Sequence, residues 1–298
     1  MKLAEISEVE MKEVHLSPGM LAFTKLHGNG NDFILIDEVH RERVPEFSKG
    51  NFAIHCCHRN FGVGGDGVLF LSGSIQADLS MRLLQPDGSE AEMCGNGIRC
   101  LAKYAYEAGY VRDSFRVETL AGIIPVQVRD MDDSFWVSVD MGTPRFDRPS
   151  IPAQGAGDFL METMEDLEVS AVNTGVPHAV IFVEDLDLPL SEIAPPIRYS
   201  EIFPEGANVN FVKLDDALQI RTYERGIEAE TFSCGTGAVA SAAVARRLGL
   251  VDDEILAETA GGPLLVTFEE DRAFMEGPAM TVYAGELSED FIKEISQE

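Results

Sequence analysis

Residues 91–100 read AEMCGNGIRC, and residues 231–240 read TFSCGTGAVA. Each stretch sets a cysteine directly before Gly-x-Gly, and the two cysteines, Cys94 and Cys234, stand 140 residues apart. The same spacing continues downstream. VETLAGIIPVQV starts at Val117 and AETAGGPLLVTF at Ala257, so Glu118, Thr119, Gly122 and Val126 fall on Glu258, Thr259, Gly262 and Val266. Upstream the match is looser. NFGVGGDGVLFL from Asn60 and IFPEGANVNFVKL from Ile202 both pass from Phe through a Gly loop into an apolar run. HGNGNDFILID from His27 and VNTGVPHAVIFV from Val172 both lead from a Gly-containing turn into a strand. Four corresponding elements in one order mark a duplicated half-chain.

Local chemistry supplies the elements of each copy. GIRCLAKYAYEAG (residues 97–109) and GAVASAAVARRLG (residues 237–249) are rich in Ala and Leu, follow Gly-x-Gly and stop at glycine, as helices do. The second has almost no polar stripe before Arg246 and Arg247, so its first turns should be buried on all sides. FWVSVDM, HAVIFV and LLVTF have the length and apolar pattern of strands. The expected fold is α+β: two pseudo-symmetric domains, each a mostly antiparallel or mixed sheet wrapped around a central apolar helix. The helix amino-terminal ends should face each other. The expected boundaries are an arm over residues 1–20, a first domain over 21–141 plus 279–298, and a second over 142–278. Pro, Gly and polar residues collect in DMGTPRFDRPSIPAQGAGD (residues 140–158), which reads as the join. The arm carries no assigned function, and Met20 is an alternative start.

Composition narrows the function. The chain has 298 residues, 45% hydrophobic, with 27 glycines, which suits a globular protein rich in tight turns. No apolar run approaches the roughly 20 residues of a bilayer span, and the first residues lack the apolar core of a signal peptide. A cytoplasmic location is expected. Five cysteines (Cys56, Cys57, Cys94, Cys100, Cys234) argue against a disulfide framework. With 51 acids against 23 bases the net charge is −28, which repels nucleic acid and anionic membranes as partners. Only 7 of the bases are lysines, an acid-rich balance suited to a salt-loaded cytoplasm. The letters leave the assembly state open, a homodimer included.

A cysteine at a helix amino terminus meets unpaired N–H groups and the positive end of the helix dipole. A free thiol ionises near pH ~8.5, and such a position is expected to lower that value. Two thiols in matched settings suggest an acid and a base on opposite faces of one carbon. The Cα–H of an amino acid is poorly acidic. Two helix termini aiming N–H groups at its α-carboxylate would stabilise the carbanion without an aldehyde cofactor. Closure of the halves would exclude water.

FTKLHGNGNDF, PDGSEAEMCGNGIRC, YERG and SCGTGAVA together resemble the diaminopimelate epimerase family, with matches from Phe23 to Gly285. The resemblance implies a PLP-independent isomerase, with no cofactor and no metal, that interconverts LL- and meso-diaminopimelate, a small amino-acid substrate, in lysine and cell-wall precursor synthesis. It implies Cys94 as proton donor and Cys234 as proton acceptor. His178 and Glu224 match residues that adjust the cysteines' ionisation. Asn31, Gln85, Gly95, Asn96, Asn208, Glu224, Arg225, Gly235 and Thr236 match substrate-binding positions, with Arg225 as a fork on the distal carboxylate. Three positions depart from the pattern. Gln85 and Val176 stand where asparagine is usual, and Gly67 stands where some members carry glutamine.

Other readings compete for the same letters. Cys100 lies within the first helical run and reads as core. HCCHRN (residues 55–60) invites a zinc reading, but its adjacent cysteines point apart and no second half-site exists. His27 reads as a turn-stabilising partner. GNG and GVGGDG are not in a strand–GxGxxG–helix unit, which sets a dinucleotide aside. The alternatives to the epimerase are a same-fold isomerase for proline, hydroxyproline or another amino acid, a non-catalytic amino-acid-binding protein, and a cysteine hydrolase.

Overall fold

The runs FILI (residues 33–36) and VLFL (residues 68–71) are apolar at every position, and each splits its side chains between two cores. Phe33, Leu35, Leu69 and Leu71 face one buried cluster, while Ile34, Ile36, Val68 and Phe70 face another. A strand covered on both faces reads as a continuous apolar run, and that is the signature of parallel pairing. The two strands are indeed parallel. This computed structural model describes residues 21–131 and 134–295, so the expected amino-terminal arm lies outside the described residues.

The first half contains β1 (Leu21–Gly28), β2 (Asn31–Asp37), α1 (Lys49–Cys57), β3 (Gly67–Gly73), β4 (Leu79–Leu84) and β5 (Glu90–Ala91). It continues with α2 (Gly95–Glu107), β6 (Ser114–Thr119), β7 (Gly122–Met131) and β8 (Ser134–Gly142). The second half opens with β9 (Glu162–Met164), β10 (Leu167–Asn173), β11 (Pro177–Phe182), α3 (Leu190–Arg198), β12 (Asn208–Leu214) and β13 (Leu218–Glu224). Then come β14 (Ala229–Thr231), α4 (Gly235–Arg247), β15 (Glu254–Thr259), β16 (Gly262–Glu269) and β17 (Arg272–Pro278). The last elements are β18 (Met280–Leu287) and α5 (Glu289–Ile295).

The pairings repeat. β2 with β3 and β11 with β12 are parallel, as are β4 with β6 and β13 with β15. The remaining strand pairs are antiparallel, and β8 joins β17 at the seam between the halves. β18 pairs with β1 as β9 pairs with β10, so the chain's end returns to the first half. Details repeat as well. Thr119 Oγ1 donates to the Gly122 carbonyl at 2.9 Å, and Thr259 Oγ1 donates to Gly262 at 2.9 Å. Arg82 grips Glu90 and Arg221 grips Glu230, each with two hydrogen bonds of 2.6–2.7 Å. The Glu-Thr-x-x-Gly signature is therefore a tight hairpin turn, whose glycine adopts φ of 121° in one copy and 118° in the other.

Each central helix fills the inner core of its half, α2 against Leu26, Leu69 and Val139, and α4 against Val180, Leu264 and Val266. In α4, Gly237 through Ala245 are all buried. Beyond one helix per half, the structure adds an outer layer. α1 and α5 cover the far side of β2 and β3, and α3 covers β11 and β12. Cys56 and Cys57 belong to the first of these layers as buried apolar groups. The 140–158 stretch is less of a linker than its composition suggests: Ile151, with nearby Phe159, is fully buried in the α3 layer, and Arg145 pairs its backbone with Asn173. No described helix is long and apolar enough to cross a membrane.

Candidate active site

Cys94 and Cys234 are the amino-terminal caps of α2 and α4, both in extended backbone conformation. Gly95 and Gly235 then allow the two helix starts to approach one thioether. A methyl on Gly95 would lie 2.8 Å from Met275 Cε, and one on Gly235 would lie 2.9 Å from Met275 Sδ. Met275 stands on β17, at the seam. Asn96 Nδ2 reaches across the same junction to the Ser233 carbonyl at 3.5 Å. The two positive helix ends thus converge, as the duplicated motif predicts.

What faces each sulfur differs. On the first side, the Gly97 N–H donates to Cys94 Sγ at 3.4 Å, and the thiol faces Asn31 Oδ1 at 3.7 Å. Asn31 is oriented by Asp66, whose carboxylate accepts from Asn31 Nδ2 at 2.6 Å, and Asn96 Nδ2 approaches the same Asn31 oxygen at 3.3 Å. On the second side, Cys234 Sγ lies 3.4 Å from Thr236 Oγ1, and the Glu224 carboxyl hydrogen-bonds Cys234. His178 Nε2 meets Thr236 Oγ1 at 2.9 Å. Asn208 accepts the Arg225 backbone N–H at 2.8 Å, and Arg225 Nη1 donates to the Glu205 carbonyl at 3.0 Å.

The ionisation of the thiols departs from the sequence expectation. Burial pushes Cys94 upward, against the Gly97 and Asn96 N–H groups that favour its thiolate. Burial pushes Cys234 well up too, and the Glu224 charge adds to it, against Thr236 and Gly237. Helix-end donors are present at both sulfurs, but desolvation of a thiolate outweighs them. Burial also raises Glu224, with its Cys234 and Thr231 hydrogen bonds acting the other way. Two thiols and a carboxylate, each with raised proton affinity, are therefore held together.

Of the positions singled out in the sequence, Asn31, Cys94, Asn96, His178, Asn208, Glu224, Arg225, Cys234 and Thr236 belong to this connected set, with Gly95 and Gly235 at its floor. Gln85 stands apart. It is exposed, and its amide donates to Ser89 Oγ at 3.2 Å within its own turn. Gly67 is buried in β3 opposite Phe33, and Val176 is half-buried in the turn before β11. His27 Nδ1 accepts the Gly30 N–H at 3.4 Å, in keeping with a turn role.

Four further residues escaped the sequence reading: Asp66, Asn210, Met275 and Arg99. Arg99, on α2, is fully buried at the junction, and its guanidinium donates to Asn29 Oδ1 at 2.6 Å, Asn96 Oδ1 at 2.9 Å and the Pro278 carbonyl at 3.3 Å. None of these partners is a carboxylate, and burial lowers its pKa to about 10. The IRC triplet gave no signal for this, because a charge so placed is satisfied by distant carbonyls and amides.

A model of the diaminopimelate epimerase family matches residues 23–146 and 170–282. The chain belongs to the diaminopimelate epimerase family. The diaminopimelate epimerase of Methanothrix thermoacetophila is 64% identical, the match covering 92% of this chain and 98% of that one. The diaminopimelate epimerase of Archaeoglobus fulgidus is 52% identical, covering 90% and 96%. Among solved structures, a PhzF-family phenazine biosynthesis protein of Bacillus anthracis matches with a TM-score of 0.68 at 18% identity, covering 91% of this chain and 99% of that one. A hydroxyproline epimerase of Agrobacterium vitis matches with a TM-score of 0.63 at 18% identity, covering 91% and 93%. At such identities the likeness to these structures concerns the fold that the diaminopimelate epimerase family shares with them.

Proposed function

We propose that this chain is a diaminopimelate epimerase, an isomerase that interconverts LL- and meso-diaminopimelate by two-base proton transfer at Cα, in lysine and cell-wall precursor synthesis. The observation that carries this is the convergence of two cysteine-capped helix starts on Met275, each with its own hydrogen-bonding set. The high identity to curated diaminopimelate epimerases supports the substrate.

In this reading the α-carboxylate sits between the N–H groups of Gly95 and Asn96 and those of Gly235 and Thr236, where charge developing on the carbanion meets two dipoles. The substrate's α-ammonium supplies the cation that the buried sulfurs lack, which favours one thiolate. Glu224 accepts the Cys234 proton through their hydrogen bond. The Cys234 thiolate then takes the α-proton from the LL substrate while the Cys94 thiol delivers its own proton to the opposite face. The product is the meso isomer, with a thiol at Cys234 and a thiolate at Cys94. Reversal exchanges the roles. Arg225 takes the distal carboxylate, beside Asn208. The two halves, residues 21–141 with 279–298 and residues 142–278, close over the substrate and exclude water. The enzyme acts in the cytoplasm on this small molecule, with neither nucleic acid nor membrane as partner.

The test is incubation with LL-diaminopimelate in deuterium oxide with no cofactor added. Deuterium should enter Cα and the meso isomer should accumulate. Cys94→Ala and Cys234→Ala should each lose on the order of 10²-fold or more of turnover. Turnover of proline or hydroxyproline in preference to diaminopimelate would replace the substrate. Absence of α-exchange would remove the epimerase reading altogether.

A further inference from the structure

His178 and Asn210 are both fully buried on the inner face of the second half, on the neighbouring strands β11 and β12. The Asn210 amide is fixed by three partners. Its Nδ2 donates to the Ala179 carbonyl at 3.0 Å and lies 3.0 Å from His178 Nδ1, while its Oδ1 accepts from Thr222 Oγ1 at 2.9 Å. A flipped amide would set its oxygen against the Ala179 carbonyl oxygen at about the same 3.0 Å, two acceptors with no proton between them. Asn210 therefore donates to Nδ1, so that nitrogen carries no proton in the neutral ring. The proton is on Nε2, 2.9 Å from Thr236 Oγ1, which must accept it. The threonine's own hydroxyl proton is then free for Cys234 Sγ at 3.4 Å.

We propose that Asn210 is a positioning residue of the isomerase, locking His178 as its Nε2–H tautomer so that Thr236 always donates to Cys234. The chain Thr222–Asn210–His178–Thr236–Cys234 runs in one direction and ends as a donor on the sulfur. The side chain facing Cys94 is instead an acceptor, Asn31 Oδ1, whose amide is fixed by Asp66, and the donor on that sulfur is the Gly97 backbone N–H. The two sulfurs thus have unlike side-chain neighbours: beside the Gly97 N–H, Cys94 faces the Asn31 oxygen, whereas Cys234 has the Thr236 hydroxyl as donor and the Glu224 carboxyl to take its proton. That difference suits a thiolate on one and a thiol on the other.

Burial holds His178 neutral, with its pKa lowered to about 3, and the Arg225 charge acts in the same direction. The chain therefore keeps its polarity across the physiological range. The charged or titratable groups facing the cluster are Glu224 and Arg225 at the end of β13, with Cys94 across the junction. Asn208 Nδ2, 3.5 Å from His178 Nε2, donates instead to the Pro177 carbonyl at 3.2 Å.

The proposal deepens the epimerase reading and rests on it for the role of Cys234, so its test uses readouts that need no turnover. In ¹⁵N-histidine-labelled protein, with His178→Gln to assign the signal, long-range ¹H–¹⁵N spectra should show His178 as the Nε2–H tautomer at pH 7. An Nδ1–H ring would overturn the proposal. The ionisation of each cysteine is then read by peptide-resolved iodoacetamide labelling against pH. Asn210→Leu and Thr236→Val should each raise the Cys234 midpoint by about one pH unit, roughly tenfold slower labelling at pH 7, with Cys94 unmoved. A Cys234 midpoint that moves in Thr236→Val but not in Asn210→Leu would overturn it, as would equal shifts at both cysteines. Should Asn210→Leu fail to fold, the tautomer of the unaltered chain decides.

Discussion

His178 shows how a single side chain ties the site to stability. Its folded-state pKa of about 3 lies below the ordinary value of 6.5, so the unfolded chain binds a proton that the folded chain refuses. Its contribution is fully present above about pH 6.5 and is lost as pH falls toward 3. At pH 4.5, about two units below the unfolded value, the loss is on the order of 2–3 kcal/mol. Urea midpoints of wild type and His178→Gln at pH 7 and 4.5 should therefore differ in slope, with the variant less acid-sensitive. Equal acid sensitivity would show that the ring is not buried neutral. At this scale the cysteines were legible because a cap before Gly-x-Gly is a local signal. Asp66, Asn210 and Arg99 were not, since each acts on a partner brought close only by folding. The direction of the thiol shifts was misjudged for a related reason: the helix dipole is written in the sequence, whereas desolvation depends on what covers the sulfur.

Among the elements, the paired hairpin turns show where the duplication was broken. Gly261 occupies the place of Ala121 in the other copy, and both backbones donate inward, Gly261 to Phe232 and Ala121 to Glu92. Ala121 is exposed, whereas the β15–β16 turn packs against the β1–β2 turn of the other half. A methyl on Gly261 would overlap the Asn29 carbonyl oxygen and approach its carbon to 2.7 Å. Gly261→Ala should cost about 2 kcal/mol or more by overpacking, and Ala121→Gly less than about 1 kcal/mol. Denaturant unfolding of both variants checks this, and equal effects would show that the turns do not meet as described. The central helices and the strands FWVSVDM, HAVIFV and LLVTF followed from composition and period. α3 did not, because Pro195 and Pro196 stand inside it. Neither did the outer layer as a whole, whose short helices leave weak periodic signals.

Over the whole molecule, 28 uncompensated negative charges repel one another. Dissolved salt shortens the reach of that repulsion from about 30 Å at 0.01 M to about 3 Å at 1 M. The melting temperature should therefore rise between 0.05 M and 1 M potassium chloride, and a flat or falling trend in a thermal scan would argue against salt adaptation. The two halves meet through the β8–β17 pair, the Arg99 guanidinium and the Asn29 amide, which donates to the Pro263 carbonyl at 3.1 Å. These contacts fix the approach of the two helix starts more firmly than a linker would.

The sequence by itself determined the duplication, the two cysteine-capped helices and the family, because repeats, caps and turns are written in short local patterns. Only the tertiary structure decided what faces each sulfur, that Gln85 turns to its own loop, and that a buried arginine joins the halves. Those facts depend on which distant groups share a site and how much water is left between them, and spacing along a chain carries neither.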